Sequence, residues 1–175
     1  PLAIVGFIDD LLNIKSIYRL LIQLLTAIAI LYYSPLVISS FNNSFIILFF
    51  FVTLIVSVIN FVNFMDGIDG LVASCMLVSI ATIFILRENP FYLMWSLGAL
   101  LGFLTKNWSP AKVFMGDVGS TYLGAYYSCL LFQSQDFYEV LGLLMINGPL
   151  FLDASFCVIR RIINNQNPFK AHRLH

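Results

Sequence analysis

Apolar residues fill six runs of the chain, approximately 17 to 38, 44 to 60, 67 to 86, 91 to 105, 119 to 134 and 139 to 159, with polar residues gathered between them. Several runs approach the ~20 residues that a helix needs to cross a bilayer. The two short ones would tilt, thin the bilayer or borrow from their flanks. Stretches such as "FIILFFFVTLIVSVI" are apolar all round, and nowhere does the two-residue alternation of a transmembrane barrel occur. The pattern predicts an all-α fold, a polytopic transmembrane helical bundle with about six spans.

Composition strengthens that expectation. Of 175 residues, 60% are hydrophobic and 10% charged, whereas soluble domains average roughly 45–50% and 25%. Mean hydropathy is +0.92. The formal net charge of zero suggests neither nucleic-acid binding nor steering toward an acidic partner. Cys75, Cys129 and Cys157 sit singly inside the runs, without the spacing of a zinc site or disulfide framework, and read as small core residues. Repeats and low-complexity linkers are absent from the sequence. The chain opens on Pro1 and ends on the polar "AHRLH", which suggests a fragment, 1–175, of a single transmembrane domain cut at both ends.

Charge sorts the connections between runs. Lys15, Arg19, Lys106, Lys112, Arg160, Arg161, Lys170 and Arg173 belong to the first, third, fifth and seventh connections or their borders, and only Arg87 to an even one. The positive-inside rule then makes the odd connections cytoplasmic. Asp9, Asp10, Asp66, Asp69 and Asp117 fall there too, while Glu88, Asp136 and Glu139 lie at even connections. Helices of alternating direction bring the odd connections to one face, so a single cytoplasmic site is expected. Arg87, at the other face, is expected to matter little to it.

Four polar segments could build that site. In "NFVNFMDGIDG", Asn60, Asn63, Asp66 and Asp69 recur every third residue, which on a helix makes a slowly drifting stripe. Gly67 and Gly70 leave room beside it for a helix or a ligand. Amides and small residues also glue membrane helices, but two carboxylates at a membrane boundary are costly without a cation or partner. In "VFMGDVGSTYLG", Asp117 stands at the start of a run with backbone N–H groups beside it, a geometry suited to phosphate; an N-cap by Asp117 or Ser120 is the ordinary alternative. In "GFIDDLLNIKSIYRL", the adjacent carboxylates of Asp9 and Asp10 repel unless a cation or proton separates them or water solvates them. Arg19 and Gln23 follow one turn apart, and Arg19 could equally snorkel to the interface. The tail "RRIINNQNPFKAHRLH" is basic and carries the histidines His172 and His175; Arg160 and Arg161 could be a topology signal or a lipid-head-group patch. Acids for a divalent cation and bases for phosphates, at one membrane face, point to phosphoryl transfer. Carboxylate and amide oxygens suit Mg²⁺.

"NFVNFMDGIDGL", "FMGDVGSTYLG", "GFIDD" and "NPFKAHRLH", in this order and across essentially the whole chain, resemble the polyprenyl-phosphate N-acetylhexosamine-1-phosphate transferases, glycosyltransferase family 4. The resemblance implies a parent of about ten membrane helices, each of the ~20 residues a span requires, in the bacterial inner membrane with its active site on the cytoplasmic face. It implies transfer of a sugar 1-phosphate from a UDP-N-acetylhexosamine to undecaprenyl phosphate, with Mg²⁺ as cofactor, Mn²⁺ as an alternative, membrane lipid as surroundings and a homodimer left open. Residue by residue, it makes Asp117 and Asn63 metal ligands. Asp9, Asp10, Asp66, Asp69 and His172 become candidate catalytic residues, with the Asp9 and Asp10 pair handling the lipid phosphate. Arg19, Asn60, Phe114, Lys170 and Arg173 become substrate-binding residues, the two arginines on phosphates and Phe114 stacked on uracil; without the resemblance Phe114 reads as a core or interface side chain. "AHRLH" departs from the consecutive histidines of the muramoyl-pentapeptide branch and lies closer to the branch that primes O-antigen and other surface polysaccharides. Asp153 receives no task. A cation-coupled transporter would place its acids mid-span, and a CDP-alcohol phosphotransferase would follow "DGIDGL" with a different acid-rich helix.

Overall fold

The computed structural model describes residues 1–12, 14–40, 45–88, 90–134 and 136–164. Among them all regular structure is helical: α1 (Leu2–Leu12), α2 (Ser16–Tyr32), α3 (Pro35–Ser40), α4 (Phe45–Met65), α5 (Leu71–Leu86), α6 (Phe91–Asn107), α7 (Gly116–Phe132), α8 (Phe137–Ile146) and α9 (Gly148–Ile163). The apolar runs became helices, with three departures. Residues 2–12, read as part of the connection before the first run, form a helix whose buried Leu2, Gly6 and Asp9 fall about one turn apart. The first run breaks after Tyr32, because Pro35 has no N–H to continue the ladder and opens α3 instead. The last run breaks at Asn147, where Gly148 and Pro149 begin α9 at 73° to α8.

α4 and α7 pack against each other at the centre. Ile55, Ile59 and Val62 of α4 and Tyr127, Leu130 and Leu131 of α7 are at most 1% exposed. The opposite side of α4 presents Phe45, Ile46, Phe49 and Phe50 outward, although both faces are equally apolar in sequence. α1 lies on the start of α7 at van der Waals distance. A Cβ on Gly6 would stand 2.7 Å from the Asp117 carbonyl oxygen and 2.8 Å from Val118 Cα, so only glycine allows this approach. Among the described residues α4, with 21 residues, is the one helix long and apolar enough to cross a membrane by itself; α8 and α9 qualify only as a bent pair, and α2 and α5 are apolar but shorter.

The alternation of helix direction holds. At one end of the bundle meet the end of α1, the start of α2, the end of α4 and the start of α7. At the other end, Ser34 Oγ donates to the Phe132 carbonyl at 2.7 Å. There Arg87 Nη2 donates to the Leu130 carbonyl at 2.8 Å and Ser134 Oγ at 2.9 Å, and it pairs with Glu139 at 3.2 Å. Arg87 is therefore a staple joining α5, the end of α7 and the start of α8, away from the polar cluster at the first end.

Candidate active site

Arg19, in the first turn of α2, is the hub of the first end. Its Nη1 lies 2.6 Å from Asp9 Oδ2 and 2.9 Å from Asp117 Oδ2, and its Nη2 donates to Asn63 Oδ1 at 3.4 Å. Asn63 closes the ring by donating from Nδ2 to Asp117 Oδ1 and to Ser120 Oγ, each at 2.8 Å. Asp9 is only 8% exposed, and a buried charge of this kind persists only when paired; its second oxygen accepts the Ile14 N–H at 2.9 Å. One turn along α2, the buried Gln23 exchanges both amide groups with Asn60, at 2.8 and 3.3 Å. Asn60 also donates to the carbonyl of Val56 in its own helix, so its amide braces α2 against α4.

The N-terminus of α7 differs from expectation. The Asp117 and Val118 N–H groups, read as open to phosphate, donate to the Asp10 carboxylate at 3.2 and 3.4 Å, and the Gly116 N–H donates to Asp66. Carboxylates from α1 and from the turn after α4 thus cap α7, complementing its positive end. Asp117 does not cap its own helix, and Ser120 Oγ donates back to the Gly116 carbonyl at 2.8 Å.

The expected stripe is also cut short. α4 stops at Met65, and Gly70 turns the chain with φ of 73° before α5 begins. Asp66 stays with the cluster, but Asp69 points away and accepts the Ala111 N–H at 2.9 Å. Phe114 is 73% exposed in the α6 to α7 connection, two residues before α7. Its exposure removes the reading as a core side chain. Asp153 is exposed on α9. Lys170, His172 and Arg173 lie outside the described residues.

Asp9 and Asp117 thus flank one guanidinium, with Asp10 and Asp66 beside them at the start of α7. Burial, then the charges of Asp117 and Asp10, push the Asp66 carboxyl up to about 7, against the pull of the Gly116 N–H. Burial likewise raises Asp117, while the Asn63 amide and the Arg19 guanidinium oppose it. This excess of carboxylate over cationic charge fits a divalent cation. Among the described residues no group of three acid, histidine or cysteine side chains could hold an ion unaided. Asp117 with the Asn63 carbonyl oxygen suits Mg²⁺, which takes one or two carboxylates and completes its shell with phosphates and water.

Sequence reading missed Asn107 and the bracing role of Gln23. Asn107 left one signal, a lone amide at the end of an apolar helix. Gln23 was visible only as the neighbour of Arg19.

A cluster of carboxylates, amides and one guanidinium thus sits at one end of a helical bundle. The chain belongs to glycosyl transferase family 4, whose family-wide sequence model matches residues 1–135. It is 32% identical over 195 residues to a Bacillus subtilis (strain 168) protein named probable undecaprenyl-phosphate N-acetylglucosaminyl 1-phosphate transferase, covering 99% of this chain and 54% of the relative. A Thermotoga maritima undecaprenyl-phosphate alpha-N-acetylglucosaminyl 1-phosphate transferase is 30% identical over 179 residues, with 100% and 57% coverage. A Streptococcus pyogenes phospho-N-acetylmuramoyl-pentapeptide-transferase is 37% identical over 150 residues, with 70% and 44% coverage. The chain spans about half the length of these curated relatives.

Proposed function

We propose that the full-length protein transfers an N-acetylhexosamine 1-phosphate from a UDP-sugar to undecaprenyl phosphate, as a multi-pass protein of the bacterial inner membrane with this site on the cytoplasmic face. The observation that carries the reading is the Arg19 hub: one guanidinium held between Asp9 and Asp117 with Asn63 beside it. The names of the Bacillus and Thermotoga relatives supply the substrate class. The outward apolar face of α4 and the lysines and arginines at the site end support the membrane setting and orientation.

In this reading an oxygen of undecaprenyl phosphate attacks the sugar-bearing phosphorus of the donor. The bond from that phosphorus to the bridging oxygen breaks, UMP leaves, and the anomeric bond stays intact. Asp117 and Asn63 would hold Mg²⁺, which supplies charge neutralisation on the diphosphate. Arg19 contributes a fork of donors matched to phosphate oxygens and holds Asp9 in place. A phosphate monoester is already largely ionised at neutral pH, so Asp9 and Asp10 serve mainly to orient the nucleophile and the start of α7. Product of this kind primes a cell-surface polysaccharide such as O-antigen. A second reading, phospho-N-acetylmuramoyl-pentapeptide transfer, is favoured by the Streptococcus relative.

Purified full-length protein assayed with undecaprenyl phosphate and a panel of UDP-sugars tests both. Release of UMP with UDP-N-acetylglucosamine or a related hexosamine is expected. Turnover confined to the UDP-muramoyl-pentapeptide donor would select the second reading, and no UMP from any donor would end both.

A further inference from the structure

α2 and α4 run in opposite directions and meet through two polar rungs about one helical turn apart. The first is the Arg19 hub, whose bond to Asn63 is long, 3.4 Å from Nη2 to Oδ1. The second is an amide pair. Asn60 Nδ2 donates to Gln23 Oε1 at 2.8 Å, and Gln23 Nε2 donates back to Asn60 Oδ1 at 3.3 Å. Asn60 Nδ2 also donates to the Val56 carbonyl at 2.8 Å, so both of its hydrogens are held within the protein. Gln23 is 2% exposed, and the space between Arg19, Gln23, Asp117 and Thr121 is about 10 Å³, room for one water. The other buried residues of α2 are Ala27 and Leu31, and apolar contacts of that kind carry no direction.

From this geometry we infer that Gln23 and Asn60 are positioning residues: their reciprocal amide pair fixes the register of α2 along α4 and so sets the Arg19 guanidinium between Asp9 and Asp117. Neither side chain touches the reacting atoms. Asn60, which the family resemblance makes a substrate contact, acts through Gln23 instead. A single polar pair in an apolar interface specifies register where aliphatic contacts allow sliding. A slip of one residue moves a helix by about 1.5 Å, and a displacement of about 1 Å at a reacting centre costs on the order of a hundredfold in rate. Donor contacts away from the hub, such as Phe114, do not depend on this register, so the loss falls on kcat rather than on KM. The inference rests on the proposed transferase reading for the reaction that is positioned, and on the hydrogen bonds alone for the pair itself.

Gln23→Leu, Asn60→Leu and the double variant, made in the full-length protein and purified in detergent, test it. Each single variant should lower kcat about tenfold or more and leave KM for the UDP-sugar within about twofold of wild type. Each should also lower the thermal midpoint, because one amide loses its partner. In the double variant both amides give way to apolar groups, so the midpoint should be no lower than in either single variant. Its kcat should stay as low as in the singles and fall no further, since residues that act as one unit are not additive. A kcat that recovers together with the midpoint makes the pair merely structural and overturns the inference. So does a wild-type kcat in Gln23→Leu, a loss that multiplies in the double variant, or a raised KM in Asn60→Leu, which puts Asn60 on the substrate. If wild type releases no UMP from any donor, the transferase reading fails by itself, and the pair is judged on the thermal midpoints, where additive losses overturn it.

Discussion

The Nη1 atom of Arg19 lies between two carboxylates, 2.6 Å from Asp9 Oδ2 and 2.9 Å from Asp117 Oδ2, and so joins α2 to both α1 and α7. Removing it leaves the buried Asp9 and the half-buried Asp117 without a counter-ion, and a buried charge stripped of its partner is strongly destabilising. Arg19→Ala is expected to lower kcat/KM at least about a hundredfold, and Arg19→Lys about tenfold, since an ammonium cannot reach Asp9, Asp117 and Asn63 together. Steady-state rates on the full-length protein check both. A lysine variant with wild-type rates would reduce Arg19 to a simple charge.

Asp117→Asn changes charge at almost constant volume. Activity should fall at least about a hundredfold, as for loss of one key electrostatic contact, with the thermal midpoint nearly kept. Magnesium titration of the variant by thermal shift should then give no stabilisation. Retained magnesium stabilisation would move the ion to other ligands.

Phe114→Ala separates binding from chemistry. Base stacking on an aromatic ring is worth about 1–3 kcal/mol, so kcat/KM should fall roughly 5- to 150-fold. The loss should lie in KM, because stacking is made equally in ground and transition states. Because the ring is 73% exposed, its removal should leave stability almost unchanged. An unaltered KM for the UDP-sugar would remove the stacking role.

Asp66 makes the metal-free protein sensitive to pH. Its carboxyl, at about 7 in the fold against the ordinary 3.8, keeps a proton that the unfolded chain has lost. Stability from this group is whole below about 3.8 and declines as pH rises through about 7. In EDTA the thermal midpoint should therefore drop between about pH 4 and 7 and level off above, and Asp66→Asn should flatten the decline. Magnesium should stabilise most at the upper end of the window, where it no longer competes with the proton. A wild-type curve that rises over this range would contradict the burial of Asp66.

Arg87→Ala should cost about 1–3 kcal/mol of stability, the penalty for orphaning hydrogen-bonded partners of a partly buried cation. The KM for the UDP-sugar should be unchanged, since Arg87 sits at the far end of the bundle. Differential scanning fluorimetry beside a rate assay checks both, and an unchanged thermal midpoint would deny the staple.

Apolar periodicity and the parity of charged connections were enough to place Asp9, Asp10, Asn63, Asp66 and Asp117 at one end of a helical bundle, because helix length and alternating direction are local consequences of composition. The family was legible in the same motifs. Partnership was not. α4 is apolar on every side, so only packing against α7 could choose Ile55, Ile59 and Val62 as its buried face. Asp69 shares the spacing of Asn60 and Asn63, yet the helix ends at Met65 and the Gly70 turn sends that carboxylate to Ala111, a residue 42 positions away. Likewise the start of α7 looked open to phosphate until α1, admitted by Gly6, brought Asp10 onto it. Such contacts join segments far apart in sequence, and their geometry exists only once helix backbones have settled against one another.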